Sequence, residues 1–395
     1  MPLITALVIT LISLTGARTA GAQAAVEFIP SASLFTVYDD NIYARVKGSA
    51  GQIQQLRPSF EGSYESPILK ILGLYSFDMQ RSNFSSLNSL DARRHALSEV
   101  HYRTTPFTTI GLTARYDRSD SPGDINVDTG LIGDRKTAER LEFNPTFTRR
   151  VDRHMTMSGA YDFTTEHLID GEYGTLHSAR LSGSRDVSTR TNLAAAYVAR
   201  FFVDDLADQM SHAVLLGWNR TIAPGTRVSL FAGPRYSSYR GLAPELSASY
   251  SRATNRLRAA LDYVHGETIV LGVPGPVAVD SASSRLSWPF RRRFEFGMQT
   301  GASRVSTLDA REMSVYRQTF VGSWSPGGIY SIATSYGLDY QLGSIRNRIF
   351  LDGQVLIPDG RVLRQVFRVS VTIAPRYQRS VLPPDEAARA KGVTR

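Results

Sequence analysis

The groups with the most chemical capacity in this chain are arginines and carboxylates set two or four positions apart. Arg93, His95, Glu99, His101 and Arg103 share one parity of a single stretch. Arg115 with Asp117, Arg140 with Glu142, and Arg256 and Arg258 with Asp262 repeat the spacing. Arg285, Glu295 and Arg317 continue it further along. Such groups can line a hydrated surface with charge of both signs, arginine leading, and rings of arginine favour anions in pores. The same groups can instead pair across neighbouring strands and stiffen a wall.

Catalytic chemistry is not expected. No HExxH, GxSxG, Walker A, GxGxxG or EF-hand pattern occurs. The seven histidines are scattered. His95 and His101, six residues apart in a strand, would lie about 20 Å apart, too far to share a metal. With no cysteine there is no thiol nucleophile, thiolate ligand or disulfide. The acidic stretch Asp117, Asp120, Asp124 and Asp128 reads as a solvated loop rather than a cation site. We therefore expect no enzyme activity, cofactor or metal. The net charge of +9 comes almost wholly from arginine. Without a basic helix or an RNA-binding signature, nucleic acid is not an expected partner.

The elements that must position these charges show up as a period of two. Met155, Met157, Gly159, Tyr161 and Phe163 alternate with Thr156, Ser158, Ala160 and Asp162. Phe294, Phe296 and Met298 alternate with Glu295, Gly297 and Gln299. A strand sends successive side chains to opposite faces, so each segment has one apolar and one polar face. Nineteen such candidates run from Ala32–Tyr38 to Asn347–Ile357 and Leu363–Ala374. No run of about 20 apolar residues, as a membrane helix requires, interrupts them. Short turns alternate with longer connections, among them Ser119–Glu139 and Thr268–Asp280. The expected fold is all-β, a single closed antiparallel transmembrane β-barrel. Bacterial barrels have even strand numbers, so about 18 are expected, within a range of roughly 16–20.

An arginine on the lipid face at the bilayer midplane costs about 2–4 kcal/mol, which turns the charged parity inward. Tyr64, Tyr102, Tyr116, Trp218, Tyr236, Trp288 and Trp324 fall near strand ends, where amphipathic rings suit the membrane–water interface. Outer-membrane lipid is then an obligatory partner. At the amino terminus, the apolar run Leu3–Leu14 followed by Ala22-Gln23-Ala24 predicts a signal peptide over 1–24, cleaved before Ala25. The barrel is expected over 25–377, and 378–395 reads as a disordered polar tail.

Two stretches carry a resemblance. Tyr38-Asp39-Asp40-Asn41-Ile42-Tyr43 precedes Leu56-Arg57-Pro58-Ser59-Phe60, and Leu261–Asp280 passes through Gly272-Val273-Pro274-Gly275-Pro276-Val277. This layout resembles the outer-membrane β-barrel porin family whose members often accompany exopolysaccharide or capsule systems. The resemblance implies an outer-membrane barrel, one that could pass polysaccharide, and carries over no catalytic residue. The expected function is passive passage of small hydrophilic or anionic solutes, anionic sugars or exopolysaccharide. The alternative is a barrel plugged by its own loops that anchors export-complex proteins in the envelope.

Overall fold

The computed structural model describes residues 24–380, apart from 127–128, 170–172, 205–207, 292, 328, 346–355 and 376. The expected signal peptide lies outside the described residues except for Ala24, and so does 381–395 of the expected tail. Eighteen strands form the wall: β1 (Ala25–Asp39), β2 (Gly51–Glu65), β3 (Leu69–Ser82), β4 (Ser89–Thr105), β5 (Thr108–Ser119) and β6 (Ala138–Arg150). β7 (Met155–Leu168), β8 (Tyr173–Ser188), β9 (Thr191–Asp204), β10 (Gln209–Ala223), β11 (Thr226–Ser237) and β12 (Gly241–Ala253) follow. The circuit ends with β13 (Arg258–Val270), β14 (Val273–Arg291), β15 (Phe294–Ser306), β16 (Glu312–Trp324), β17 (Tyr330–Gly343) and β18 (Gly360–Ile373).

Every strand pairs antiparallel with its sequence neighbours, and β1 closes the cylinder on β18, with Leu34 opposite both Leu56 and Val371. Closure leaves no free edge strand, so over most of the wall's height the strands' backbone groups find partners within it, as a bilayer demands. Pro375 has no N–H to offer and interrupts the last strand. Pairing resumes at Tyr377–Ser380 against Ala25–Phe28, so the wall runs past the expected Tyr377 boundary.

Two assignments need correction. The candidate strand Asn347–Ile357 adds no stave, because β17 pairs directly with β18 from Gly343↔Gly360 to Tyr330↔Ile373. Most of that segment lies outside the described residues. The expected loop Thr268–Asp280 is instead a hairpin: β13 and β14 run up to a two-residue turn at Leu271-Gly272. Gly272 has φ +78°, which an L side chain adopts only with strain.

The two faces separate as the alternation dictates. Leu34, Leu56, Phe147, Leu181, Leu216 and Phe367 are all exposed on the outer face. Their cross-strand partners share that face, as in Leu181 opposite Tyr197. Leu181 is 58% exposed in mid-strand, so Leu181→Arg places a cation against the hydrocarbon. We expect a loss of about 2–4 kcal/mol in folding free energy measured in lipid vesicles, and less for the same change at a strand end. An equal, near-zero effect at both places would contradict the lipid-facing assignment.

Turns at the end bearing the amino terminus are short (66–68, 106–107, 189–190, 224–225). The long connections 40–50, 120–137 and 344–359 all emerge at the opposite end. Ile42 and Ala44 of the first, Ile132 of the second, and Leu356 and Ile357 of the third are buried.

Candidate functional site

The inner face changes character along its height. Toward the short-turn end it is polar. One row of cross-strand partners reads Asn192, Asn219, Ser229, Ser249, Asp262 and Ser283 across six strands. Asn219 donates to Asn192 Oδ1 at 3.3 Å, and Ser229 donates to Asn219. Together with Arg227 and Ser251, much of this wall borders a cavity of about 770 Å³. Side chains that can each offer a donor or acceptor suit a water-filled passage.

Toward the long-loop end the lumen is occupied. β13 stops pairing with β12 above His265, and β14 stops pairing with β15 above Ala278. The hairpin tip between them leaves the wall on both flanks and leans inward to reach β8 and β9. Glu267 receives the Ser237 hydroxyl at 2.8 and 2.9 Å and faces Arg235 at 3.2 Å. The Gly275 amide donates to Asp204 at 2.6 Å, and the Leu271 amide to Asn126 Oδ1 at 3.1 Å. Val270, Leu271, Val273 and Val277 then join a dry core with Ile125 and Leu131 from one connection and Leu356 and Ile357 from another. Wall residues Met313 and Val315 belong to it as well.

The connection after β5 opens with a single helical turn, α1 (Pro122–Ile125), and fills the other side. Its Ile132 exchanges backbone–side-chain bonds with Gln341 at 3.0 and 3.2 Å. The Asp134 amide donates to Leu356 O at 2.8 Å, and Arg45 pairs with Asp134 at 2.6 Å. The acidic stretch expected to be solvated is therefore consumed by arginines. Asp120 takes Arg135 at 2.5 Å, and Asp124 takes Arg93 at 3.1 Å and the Ser119 hydroxyl at 2.9 Å. Asp128 lies outside the described residues. Among the described residues no group of three or more metal-ligating side chains converges.

The Asp124 side chain keeps 42% of its surface exposed, and partial loss of water alone would raise the pKa of its carboxyl. Arg93, the Ser119 hydroxyl and, further off, Arg364 and Arg368 outweigh it and hold the group well below the usual carboxylate range. The sign follows: stability gained from a lowered folded pKa is complete above the unfolded value, about 3.9, and is lost as pH falls toward the folded one. Proteolytic protection of the 120–137 connection should stay constant from pH 7 down to about 4 and weaken only below that. Release near pH 6 would contradict the pairing.

Many other inward arginines are also neutralised. Arg57 holds Asp78 through two bonds of 2.5 and 2.7 Å, and Arg364 holds Asp39 at 2.6 Å. Arg140 bridges Glu142 at 2.5 Å and Glu166 at 2.9 Å; Arg115 holds Asp117 at 2.5 Å, which also meets His95 at 2.7 Å. Arg317 faces Asp339 at 3.3 Å, and Arg200 clasps Glu245 at 2.6 and 2.9 Å. Glu295 accepts from Ser287. Arg103, Arg258, Asp262 and Arg285 are exposed on the inward parity, and Glu99 is half-buried there. Arg256 does not belong to a strand; it lies in the turn before β13, where its amide bonds Thr254 Oγ1.

Arg368 differs from its neighbours. It lies over the Phe35 ring, which Arg57 also covers, and its Nε is buried without a hydrogen-bond partner. Arg57, Arg364 and Arg368 were visible in sequence as charges alternating with Leu56, Leu363 and Phe367. Single arginines in apolar company gave a weaker signal than the clusters did.

Of the aromatic candidates, Tyr102, Tyr236, Trp288 and Trp324 are exposed on the outer face. Tyr64, Tyr116 and Trp218 are half-buried among neighbours on the same face. Tyr64, Tyr102, Trp288 and Trp324 lie toward the short-turn end, Tyr116 and Tyr236 toward the other.

No protein-family model matches the sequence, and no curated protein matches it. Several solved structures are similar to the chain at low identity. A BenF-like porin from Pseudomonas fluorescens Pf-5 is 10% identical over 91% of this chain and 99% of its own, with a TM-score of 0.48. Pseudomonas aeruginosa OccK7 is 11% identical over 91% of this chain and 100% of its own, at 0.47. The siderophore receptor PirA from the same organism is 12% identical over 88% and 80%, at 0.40. By its own strand pairing, the chain is an 18-strand closed antiparallel β-barrel with an apolar exterior and a charged, partly filled interior.

Proposed function

We propose that this protein is an outer-membrane channel for small hydrophilic solutes, with a modest preference for anions, whose outer mouth rests closed. The carrying observation is the contrast along the lumen: a polar wall bordering a cavity at one end and a self-folded closure at the other. Barrels of this strand number leave an aqueous channel unless something fills it.

Anion preference rests on what the ion pairs leave over. Among the described residues exposed on the inward parity, Arg103, Arg150, Arg227, Arg258 and Arg285 have no carboxylate within ion-pair distance, whereas Asp186, Asp262 and Glu295 have no basic partner. The excess is small, so the preference should be too. A reversal potential in a salt gradient across a planar bilayer tests it. We expect anion over cation permeability by less than about tenfold, as a few uncompensated, water-screened charges permit. Cation selectivity would refute the assignment.

A second reading, a permanently plugged barrel anchoring envelope proteins, draws on the dry core of the closure. Passage of exopolysaccharide is less well supported, since a polymer in transit needs the whole lumen clear at once.

A further inference from the structure

The inward lean of the β13–β14 hairpin leaves a matching gap in the wall. β12 pairs with β11 from Ser237↔Gly241 onward, but with β13 only from Leu246↔His265. Residues 241–245 thus form an extended edge with no strand on one side, and 266–270 of β13 are extended without the same partner. The register, simply continued, would set Gly266 on Glu245, Glu267 on Pro244, Thr268 on Ala243, Ile269 on Leu242 and Val270 on Gly241. Leu242 is 76% exposed. Pro244 has no N–H, and sheets accept proline where that donor would face an open edge. Re-pairing would lay Ile269 beside Leu242 on the outer face. Glu267 would stand two residues above His265, Asp280 and Arg304, a row where that face is already charged.

A latch spans the gap. Arg240, the residue before β12, donates to Ser306 O at 2.7 Å, at the end of β15. With β13 and β14 between them, β12 and β15 would stand three strand spacings apart, about 14 Å, more than one side chain bridges. The bond therefore excludes the tip from the wall. The tucked position also leaves polar groups unserved. Ser211, whose cross-strand partner Ser237 holds Glu267, buries its Oγ without a hydrogen-bond partner, and Gln209, beside Gly275, buries its Oε1 likewise. Arg240 Nε is buried in the same way. Such groups favour a state that returns them to water.

We propose that the tip, 266–277, is a gate with two positions: folded into the lumen, and zipped into the wall along 241–245 in the continued register. Gly266, the first residue of β13 beyond its pairing with β12, lacks a Cβ and serves as the hinge. β13 and β14 remain paired to each other through Thr268↔Val277, so the two strands move together. The Arg240–Ser306 bond breaks as the tip enters the wall, and the outer mouth loses its filling. This inference rests on the closed-mouth reading above and names the motion that opens it.

The test is disulfide trapping of the full-length protein in lipid vesicles, where the absence of native cysteine removes background. In Leu242→Cys/Ile269→Cys the zipped position makes the two residues direct partners, at the Cα spacing of about 4.5–5.5 Å that a disulfide accepts. In the tucked position Ile269 instead borders a cavity with Tyr173 and Phe202. Folding of each variant is verified by heat-dependent gel mobility. The pair should cross-link under mild oxidation, each bond trapping one visit, whereas the off-register pair Leu242→Cys/Thr268→Cys should stay reduced. Adding Arg240→Gln should speed the cross-link by roughly fivefold or more, as loss of one charged hydrogen bond permits. The cross-linked barrel should conduct at least about threefold more than after reduction. No cross-link, or equal cross-linking of both pairs, overturns the second position; an unchanged rate with Arg240→Gln overturns the latch. A cross-linked barrel no more conductive than its reduced form, while a barrel lacking the tip conducts, overturns the gate. If the barrel lacking the tip is silent too, the tip-closed channel proposed above fails, and the gate with it.

Discussion

Replacing the hairpin tip 269–276 with a two-residue Asn-Gly turn is expected to raise single-channel conductance in planar bilayers by about tenfold or more, since an unfilled barrel of this size is an aqueous pore. Thr268 and Val277 are direct partners, so a tight turn can join them without changing register. The deleted residues include Val270, Leu271 and Val273 of the dry core. Burying such side chains contributes about 1.5–3 kcal/mol each, an upper estimate for a chain compact before it folds. Three of them, with the bonds from Leu271 and Gly275, hold the tip inward far more strongly than thermal energy can reverse. The intact protein should therefore conduct rarely, in brief openings. A deletion that leaves conductance unchanged would mean that the 120–137 and 344–359 connections close the mouth by themselves.

The second large effect concerns Arg235. It is 1% exposed and stands between Glu245 and Glu267, themselves buried. Glu245 keeps Arg200 if Arg235 is lost, but Glu267 keeps no cation, just the Ser237 hydroxyl and the neighbouring Tyr239. Removing one partner of a buried pair typically costs about 3–5 kcal/mol, because the remaining charge is left uncompensated. Arg235→Leu should thus loosen the hairpin, lower the temperature at which the barrel loses its compact gel mobility, and lengthen open times. Removing both charged partners is far less costly than removing one. Arg235→Leu/Glu267→Leu should accordingly recover most of the loss in thermal stability. A double variant as unstable as the sum of its singles would show that the two groups do not act together.

Both predictions depend on features that the linear pattern hid. The alternation of Met155, Met157 and Tyr161 with polar neighbours was enough to find a strand, its lipid face and its place in a closed wall. Each such decision needs only local spacing and the cost of charge in hydrocarbon. The hairpin was lost to the same logic. Gly272, Pro274, Gly275 and Pro276 carry the composition of a loop, yet Val270, Val273 and Val277 are apolar because they cover one another inside the lumen. Nothing in a period of two distinguishes apolar groups that meet lipid from those that meet a plug. Ion pairing was similarly out of view. Arg57 and Asp78, or Arg364 and Asp39, become partners only when register is fixed, so counting arginines overstated the field. Arg256 shows the limit of boundary placement: it has the right parity but falls in the turn. The strand at Asn347–Ile357 was inferred from spacing alone, and only the direct pairing of β17 with β18 excludes it from the wall.

The sorting of side chains around the cylinder is tested most directly by thiol labelling, because the chain carries no cysteine and gives no background. Five single substitutions to cysteine along β8 suffice, at Ser178, Ala179, Arg180, Leu181 and Ser182. In lipid vesicles, a hydrophilic maleimide should modify 178, 180 and 182 while 179 and 181 stay protected until detergent is added. Uniform labelling, or protection at 178, 180 and 182 instead, would contradict a barrel with its apolar side on lipid and its polar side on water.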